Sequence, residues 1–233
     1  MLCKKNRVNN FLACILSVLI CASFYQLNAM DCQTDSDDDE QFHKKLLEHL
    51  QSEPLLAAAE KNEIARVREL LAQGATANVQ SCYNESTPLH AACLCVQDTQ
   101  ELVSLLLEHN ADPMLTDTNL NTPAHFAACR NKVKELELLK KKGSLLDTQN
   151  IVGFTPCHIA VRADALETLA WLGASGANMN VLDANGEAPI HHAVRKGNCK
   201  TVHQLLSHGA HPYLASGAAK ERAIIVQGST PFH

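Results

Sequence analysis

The tetrapeptide Thr87-Pro88-Leu89-His90 returns as Thr122-Pro123-Ala124-His125, as Thr155-Pro156-Cys157-His158, as Ala188-Pro189-Ile190-His191 and as Thr230-Pro231-Phe232-His233. Successive prolines are 35, 33, 33 and 42 residues apart. Self-similarity at such a period marks a chain assembled from copies of one supersecondary unit. One copy cannot bury its own apolar face, so copies must stack, each against its neighbours alone. Composition agrees with helical units: 46% of the 233 residues are hydrophobic but only 4% aromatic, so the core is built from Leu, Ala, Val and Ile. Ala and Leu are good helix formers.

Each copy has the parts of a helix pair. Thr before Pro starts a helix well, because its hydroxyl can cap open N–H groups and Pro suits the first turn. Small residues follow, Ala91-Ala92, Ala127-Ala128 and Ala160, which let neighbouring first helices approach closely. A second helix is predicted from Leu102, Leu105 and Leu106, and again from Leu136, Leu138 and Leu139, which give one apolar face. A stop closes it: Gly74-Ala75, Asn110-Ala111, Gly143-Ser144, Gly176-Ala177 and Gly209-Ala210. Asp183-Ala184-Asn185-Gly186 then supplies residues for a tight turn.

These motifs resemble the ankyrin-repeat family, over about residues 52–233. The resemblance implies an all-α fold, a solenoid of stacked helix pairs with short β-hairpin loops. Five repeats are expected at 52–84, 85–119, 120–152, 153–185 and 186–213, within a repeat domain spanning 42–233. Pro54 takes the motif position in the first, degenerate repeat, with helices over Leu55–Ala59 and Ile64–Ala72. Repeat two carries two extra residues near Val96-Gln97-Asp98. Residues 214–229 break the pattern, and 230–233 read as the start of a truncated sixth repeat. The family also implies a role for the motif histidines, which hydrogen-bond backbone groups and order the hairpins. Thr87, His90, Thr122, His125, Thr155, His158 and His191 are therefore structural.

The N-terminus reads differently. Lys4, Lys5 and Arg7 precede an apolar run from Phe11 to Phe24, with a small residue at Ala29. This is the layout of a signal peptide over residues 1–29. The run is short for a membrane span of about 20 residues. Export to a secreted or periplasmic location is expected, with an uncleaved membrane anchor as the alternative. Residues 30–41 read as an acidic, disordered linker, since Asp31 to Glu40 holds six acids in ten residues. Its D-x-D-x-D spacing lacks the glycine and terminal glutamate of a calcium loop.

The chain has no G-x-S-x-G, P-loop, H-E-x-x-H or dinucleotide fingerprint, so no catalytic residue, cofactor or metal is assigned. Net charge is −5, which argues against a nucleic-acid partner. A His-rich cluster in repeat five comprises His192, Cys199, His203, His208 and His211, but His203 and His208 are five apart, not the i, i+4 that places two ligands on one helix face. Seven cysteines remain beyond the leader: Cys32, Cys82, Cys93, Cys95, Cys129, Cys157 and Cys199. Cys93 and Cys129 take equivalent positions in neighbouring repeats, too far apart to bridge. The cysteines are expected to be mainly buried or half-buried thiols, with Cys199 at a core position. Trp171 is expected on the buried face of its second helix.

The functional expectation is noncovalent protein binding by a monomer, not catalysis. By the resemblance, two positions at the end of each first helix face the concave groove. Lys61, Arg130, Arg162, Arg195 and Lys196 fall there and form a basic strip for an acidic segment of a partner protein. The chain's own Asp35–Glu40 run is a competitor for that groove. No membrane partner is expected once the leader is removed. Exported ankyrin arrays suggest a host-contact role. A second expectation is that the chain is the N-terminal scaffold of a longer protein whose effector or enzymatic domain is missing.

Overall fold

A computed structural model describes residues 54–212 of the chain. The leader, the acidic linker, the 214–229 segment and the final motif lie outside the described residues.

The described residues form ten helices and no strand. They are α1 (54–60), α2 (Ile64–Ala72), α3 (Pro88–Leu94), α4 (Gln100–Glu108), α5 (Pro123–Cys129), α6 (Val133–Lys141), α7 (Pro156–Ala163), α8 (Leu166–Ala174), α9 (Pro189–Arg195) and α10 (Cys199–Ser207). Odd-numbered helices are first helices and even-numbered ones are second helices. From α3 onward first helices pack on first helices, and second on second from α2. Ala92, Ala127, Ala160 and Ala193 are fully buried at the first-helix contacts, and Leu102, Leu106, Leu136, Leu139, Leu169 and Leu172 under the second helices. Two apolar clusters result, with Trp171 packed against both.

Helix ends follow local chemistry. Gly143 takes φ 95, which lets the Ser144 N–H reach the Leu139 carbonyl at 3.0 Å and stop α6. Asn110 does the same work for α4 at φ 62, with Ala111 bonding Leu106 at 3.0 Å. First helices of repeats one, three and four turn through a left-handed Asn62, Asn131 or Asp164. Repeat two does not: Cys95 leaves α3 at φ −53 and ψ 146, into the longer Val96–Asp98 turn.

The motif histidines lock each repeat to the next. His90 Nδ1 accepts the Thr87 N–H at 3.0 Å, so its proton sits on Nε2, which donates to the Asn121 carbonyl at 3.0 Å. His125 repeats this with Thr122 and the Phe154 carbonyl, at 3.1 and 2.9 Å. His158 does so with Thr155 and the Glu187 carbonyl, at 3.2 and 3.1 Å. In repeat five Ala188 has no hydroxyl, and its N–H still donates to His191 Nδ1 at 2.9 Å. Burial lowers the pKa of His90, His125 and His158, the last to about 4.

Several expectations need correction. The inter-repeat segments close as hairpin-like turns, but none of the described ones forms a strand. Each turn is closed by a backbone bond, such as Asp117 N–H to the Asn121 carbonyl at 3.0 Å, too short a run for a ladder. Trp171 is half-buried, with Lys140 Nζ 5.9 Å from its ring centroid. Cys93 and Cys157 are buried, with thiol pKa values pushed up to about 12 by desolvation. Cys82, Cys129 and Cys199 are exposed, because they lie at a turn tip and at helix ends instead of under the next layer.

Candidate functional site

The turns build a continuous rim. Asp117 Oδ1 accepts the N–H groups of Asn119 and Asn121 at 2.9 and 2.8 Å. Asn150 Oδ1 holds Val152 and Phe154 at 3.1 and 2.9 Å, and Asp183 Oδ1 holds Asn185 and Glu187 at 2.8 and 2.9 Å. One side chain thus shapes each tip from within. One backbone bond then ties each tip to the preceding one: Thr118 to Asn84 at 3.0 Å, Ile151 to Asn119 at 2.9 Å and Ala184 to Val152 at 3.1 Å. Gly153 sits where the fourth tip comes closest. A Cβ there would lie 2.5 Å from the Ala184 backbone nitrogen.

The five basic positions are all exposed but not equivalent. Arg130 Nε donates to the Leu94 carbonyl at 2.9 Å, and the Arg162 guanidinium lies 4.9 Å from the Phe154 ring centroid. Neither forms an ion pair among the described residues. Arg195 gives two hydrogen bonds to Glu187, at 3.0 and 2.6 Å, and a third to His192 Nδ1 at 2.9 Å. Lys196 pairs with Asp164 at 2.6 Å and donates to the Arg162 carbonyl at 2.9 Å. Hydrogen bonds from Lys196 and Asn198 hold the Asp164 carboxyl below its ordinary pKa. Lys61 ends α1 in repeat one. Geometry therefore splits the expected strip into two arginines without a carboxylate and two cations already neutralised.

The His-rich cluster does not assemble as the sequence places it. The structure brings His192 to Asp183 and Glu187, with Nε2 2.9 Å from Asp183 Oδ2 and 3.6 Å from Glu187 Oε2. These three side chains could hold a cation, but each already has a protein partner. Burial works against the Asp183 charge, yet the Glu187 N–H, His192 and the Asn185 N–H outweigh it and keep its carboxyl below the usual range. His208 instead packs on Gly173, where a Cβ would come 2.3 Å from its ring.

Between the tips and the first helices of repeats three and four lies an open cavity of about 490 Å³. Asn121, Cys129, Ile151, Val152, Ile159 and Arg162 line it, among others. Ile151 is 62% exposed, Val152 44% and the neighbouring Leu120 49%.

A family model for ankyrin repeats (three copies) matches residues 18–117, 95–183 and 125–216. The chain belongs to the ankyrin-repeat family. The first match begins inside the expected leader, in residues that lie outside the described ones. The chain is 38% identical over 92 residues to the human transient receptor potential cation channel subfamily A member 1, covering 39% of this chain and 8% of that protein. It is 38% identical over 96 residues to the serine/threonine-protein kinase VIK of Arabidopsis thaliana, covering 41% of this chain and 22% of that protein. It is 41% identical over 81 residues to the human 2-5A-dependent ribonuclease, covering 34% and 10%. The matched region is thus less than a quarter of each relative's length.

Ankyrin repeats mediate binding to other proteins, and the family is typically non-catalytic. For an ankyrin array the tips and first-helix ends are its candidate surface. Sequence reasoning named the tips as a class but missed Leu120, Ile151 and Val152 individually. The signal was present: two adjacent β-branched residues between Asn150 and Gly153, where a turn is normally polar. Among the described residues no helix is long and apolar enough to cross a membrane.

Proposed function

We propose that this chain is an exported, monomeric ankyrin-repeat protein that binds an acidic segment of another protein along its concave face and turn tips. It acts by noncovalent recognition, not catalysis. The observation that carries this reading is the pair Arg130 and Arg162, on first-helix ends of successive repeats, exposed and without carboxylate partners among the described residues. Neighbouring helices lie about 10 Å apart, close to one Debye length in physiological salt. Arg130 stands eight residues after its motif threonine and Arg162 seven, so the two guanidinium groups are offset by one position and would meet separate carboxylates of an anionic segment, each able to grip with two N–H groups.

The test uses a partner identified by cross-linking to the full chain. Arg130→Ala with Arg162→Ala should weaken its binding at least about tenfold and flatten the salt dependence, since hydrogen bonds to charged groups contribute about 1.5–3 kcal/mol each. Arg195→Ala with Lys196→Ala should change binding far less, because Glu187 and Asp164 already hold those cations. Equal binding by parent and the first double variant across a salt series would overturn the reading.

Export rests on the order of basic, apolar and small residues in 1–29. Intact mass of protein recovered outside the producing cell should show loss of the leader after Ala29. Full-length chain held in the membrane fraction would replace export with anchoring.

A further inference from the structure

Repeat five departs from repeat three at two positions that surround one buried carboxylate. Asp117 and Asp183 stand five residues before their motif positions, Thr122 and Ala188, and each shapes its tip through Oδ1. In repeat three the other oxygen, Asp117 Oδ2, accepts from Asn121 Nδ2 at 3.1 Å, and Phe126 takes the fourth place after the motif threonine. In repeat five Glu187 stands in place of that amide and His192 in place of that ring. His192 Nε2 lies 2.9 Å from Asp183 Oδ2 and 3.6 Å from Glu187 Oε2, and one donor atom from each side chain falls within 4.8 Å of the others. Asp183 and His192 are buried and Glu187 is half-buried.

Three donors of these types suit a borderline cation. Zinc takes imidazole nitrogen and carboxylate oxygen at about 2.0–2.2 Å, in a tetrahedron whose corners lie about 3.3–3.6 Å apart. The two separations at His192 lie close to that spacing, so small side-chain shifts close the shell. Three protein ligands leave the fourth corner to water. An imidazole among them disfavours magnesium and calcium, which prefer oxygen alone. A proton and an arginine hold the place without metal. Arg195 can only donate, so its 2.9 Å contact makes His192 Nδ1 an acceptor and leaves the ring proton on Nε2, facing Asp183. The same guanidinium holds Glu187 through two bonds, at 3.0 and 2.6 Å. Zinc would take the Nε2 lone pair, so the ring proton must pass through water to Nδ1, and Arg195 must turn away from both groups. It is free to do so, because its side chain is 59% exposed. Asp183 keeps its tip throughout, since Oδ1 alone accepts the Asn185 and Glu187 N–H groups.

We infer that Asp183, Glu187 and His192 form a zinc site, with Arg195 as the cation that zinc displaces. Bound metal ties the 183–187 tip to α9 and sets the Arg195 side chain free. The site needs no partner protein, so it stands or falls apart from the binding reading above.

Titration calorimetry of Zn²⁺ into the full chain tests it, in metal-free buffer and with accessible thiols first alkylated so that histidine and carboxylate donors remain. The parent should bind zinc at this site. His192→Phe and Glu187→Asn, the residues that repeat three carries there, should each weaken binding by more than the roughly tenfold that losing a ligand's hydrogen-bond partner costs. Arg195→Ala should instead tighten it about tenfold, because charge-assisted bonds no longer compete. His203→Gln, in the same repeat but outside the cluster, should leave it unchanged, and excess Mg²⁺ should not displace the metal. Far-UV spectra of the metal-free variants check that the fold survives, and Arg195→Ala, at an exposed position, keeps the test open if a ligand variant unfolds. A parent chain that takes up no zinc would overturn the inference. So would zinc that survives His192→Phe, is lost with His203→Gln, binds no more tightly to Arg195→Ala, or yields to Mg²⁺.

Discussion

At the residue scale, each motif histidine works because it is neutral. Nδ1 accepts the threonine N–H at its own helix start and Nε2–H donates to a carbonyl 29 or 31 residues further on, so a second ring proton, on Nδ1, would displace that backbone bond. Burial accordingly depresses the folded pKa of His90, His125 and His158. The unfolded chain then binds more protons than the folded one, so stability rises with pH across the window. It is fully present above about 6.5 and is lost as pH falls towards about 4, the folded value for His158. Urea midpoints measured from pH 7.5 to 4 should start to fall near pH 6.5, above the ordinary carboxylate range. A flat profile down to pH 5 would mean that these rings charge without loss. The Thr–His pair was legible because its members are three residues apart. Cysteine exposure turns on a one-residue offset that the pairing of Cys93 with Cys129 overlooks: Cys93 stands six residues after its motif threonine and Cys129 seven, so buried Ala128 corresponds to Cys93 and exposed Leu94 to Cys129.

At the element scale, the two-residue insertion in repeat two was legible from the longer spacing, but what holds it was not. Lys132 reaches back from the next repeat and donates to the Ala92 and Gln97 carbonyls at 3.3 and 2.9 Å and to Thr99 Oγ1 at 2.5 Å. Glu135 sits 3.6 Å from its ammonium and accepts from Thr99 at 3.1 Å. Both side chains are nearly enclosed, 9% and 5% exposed. Thr168 takes the corresponding place in repeat four, so a glutamate there is a local departure. A charged pair in a sequence pattern normally signals a solvated face, which is why periodicity hid this one. Removing one member strands a buried charge, at about 3–5 kcal/mol. Lys132→Met should therefore destabilise the array by that order in urea unfolding, and adding Glu135→Leu should recover most of the loss. A Lys132→Met cost below about 1 kcal/mol, the range of exposed pairs, would show that water reaches the site.

At the scale of the whole molecule, the period alone dictated the architecture. Helix pairs, stops and stacking order follow from a unit that must find neighbours, and the helices at 54–60 and Ile64–Ala72 match the degenerate first repeat. The binding face was legible only as a set of positions. Which cations remain available depends on partners such as Glu187 and Asp164, and the apolar tips depend on a turn shaped by Asn150. Hydrogen exchange of the full chain, with and without its cross-linked partner, tests the central claim most directly. Bound partner should slow exchange at the tips, residues 118–121 and 151–154, and at the α5 and α7 ends, residues 129–131 and 162–164. The second helices α6, α8 and α10 should be unchanged beyond the small gain of a more stable stack. Protection concentrated on those second helices, with the tips exchanging as before, would place the partner on the opposite face and contradict the account.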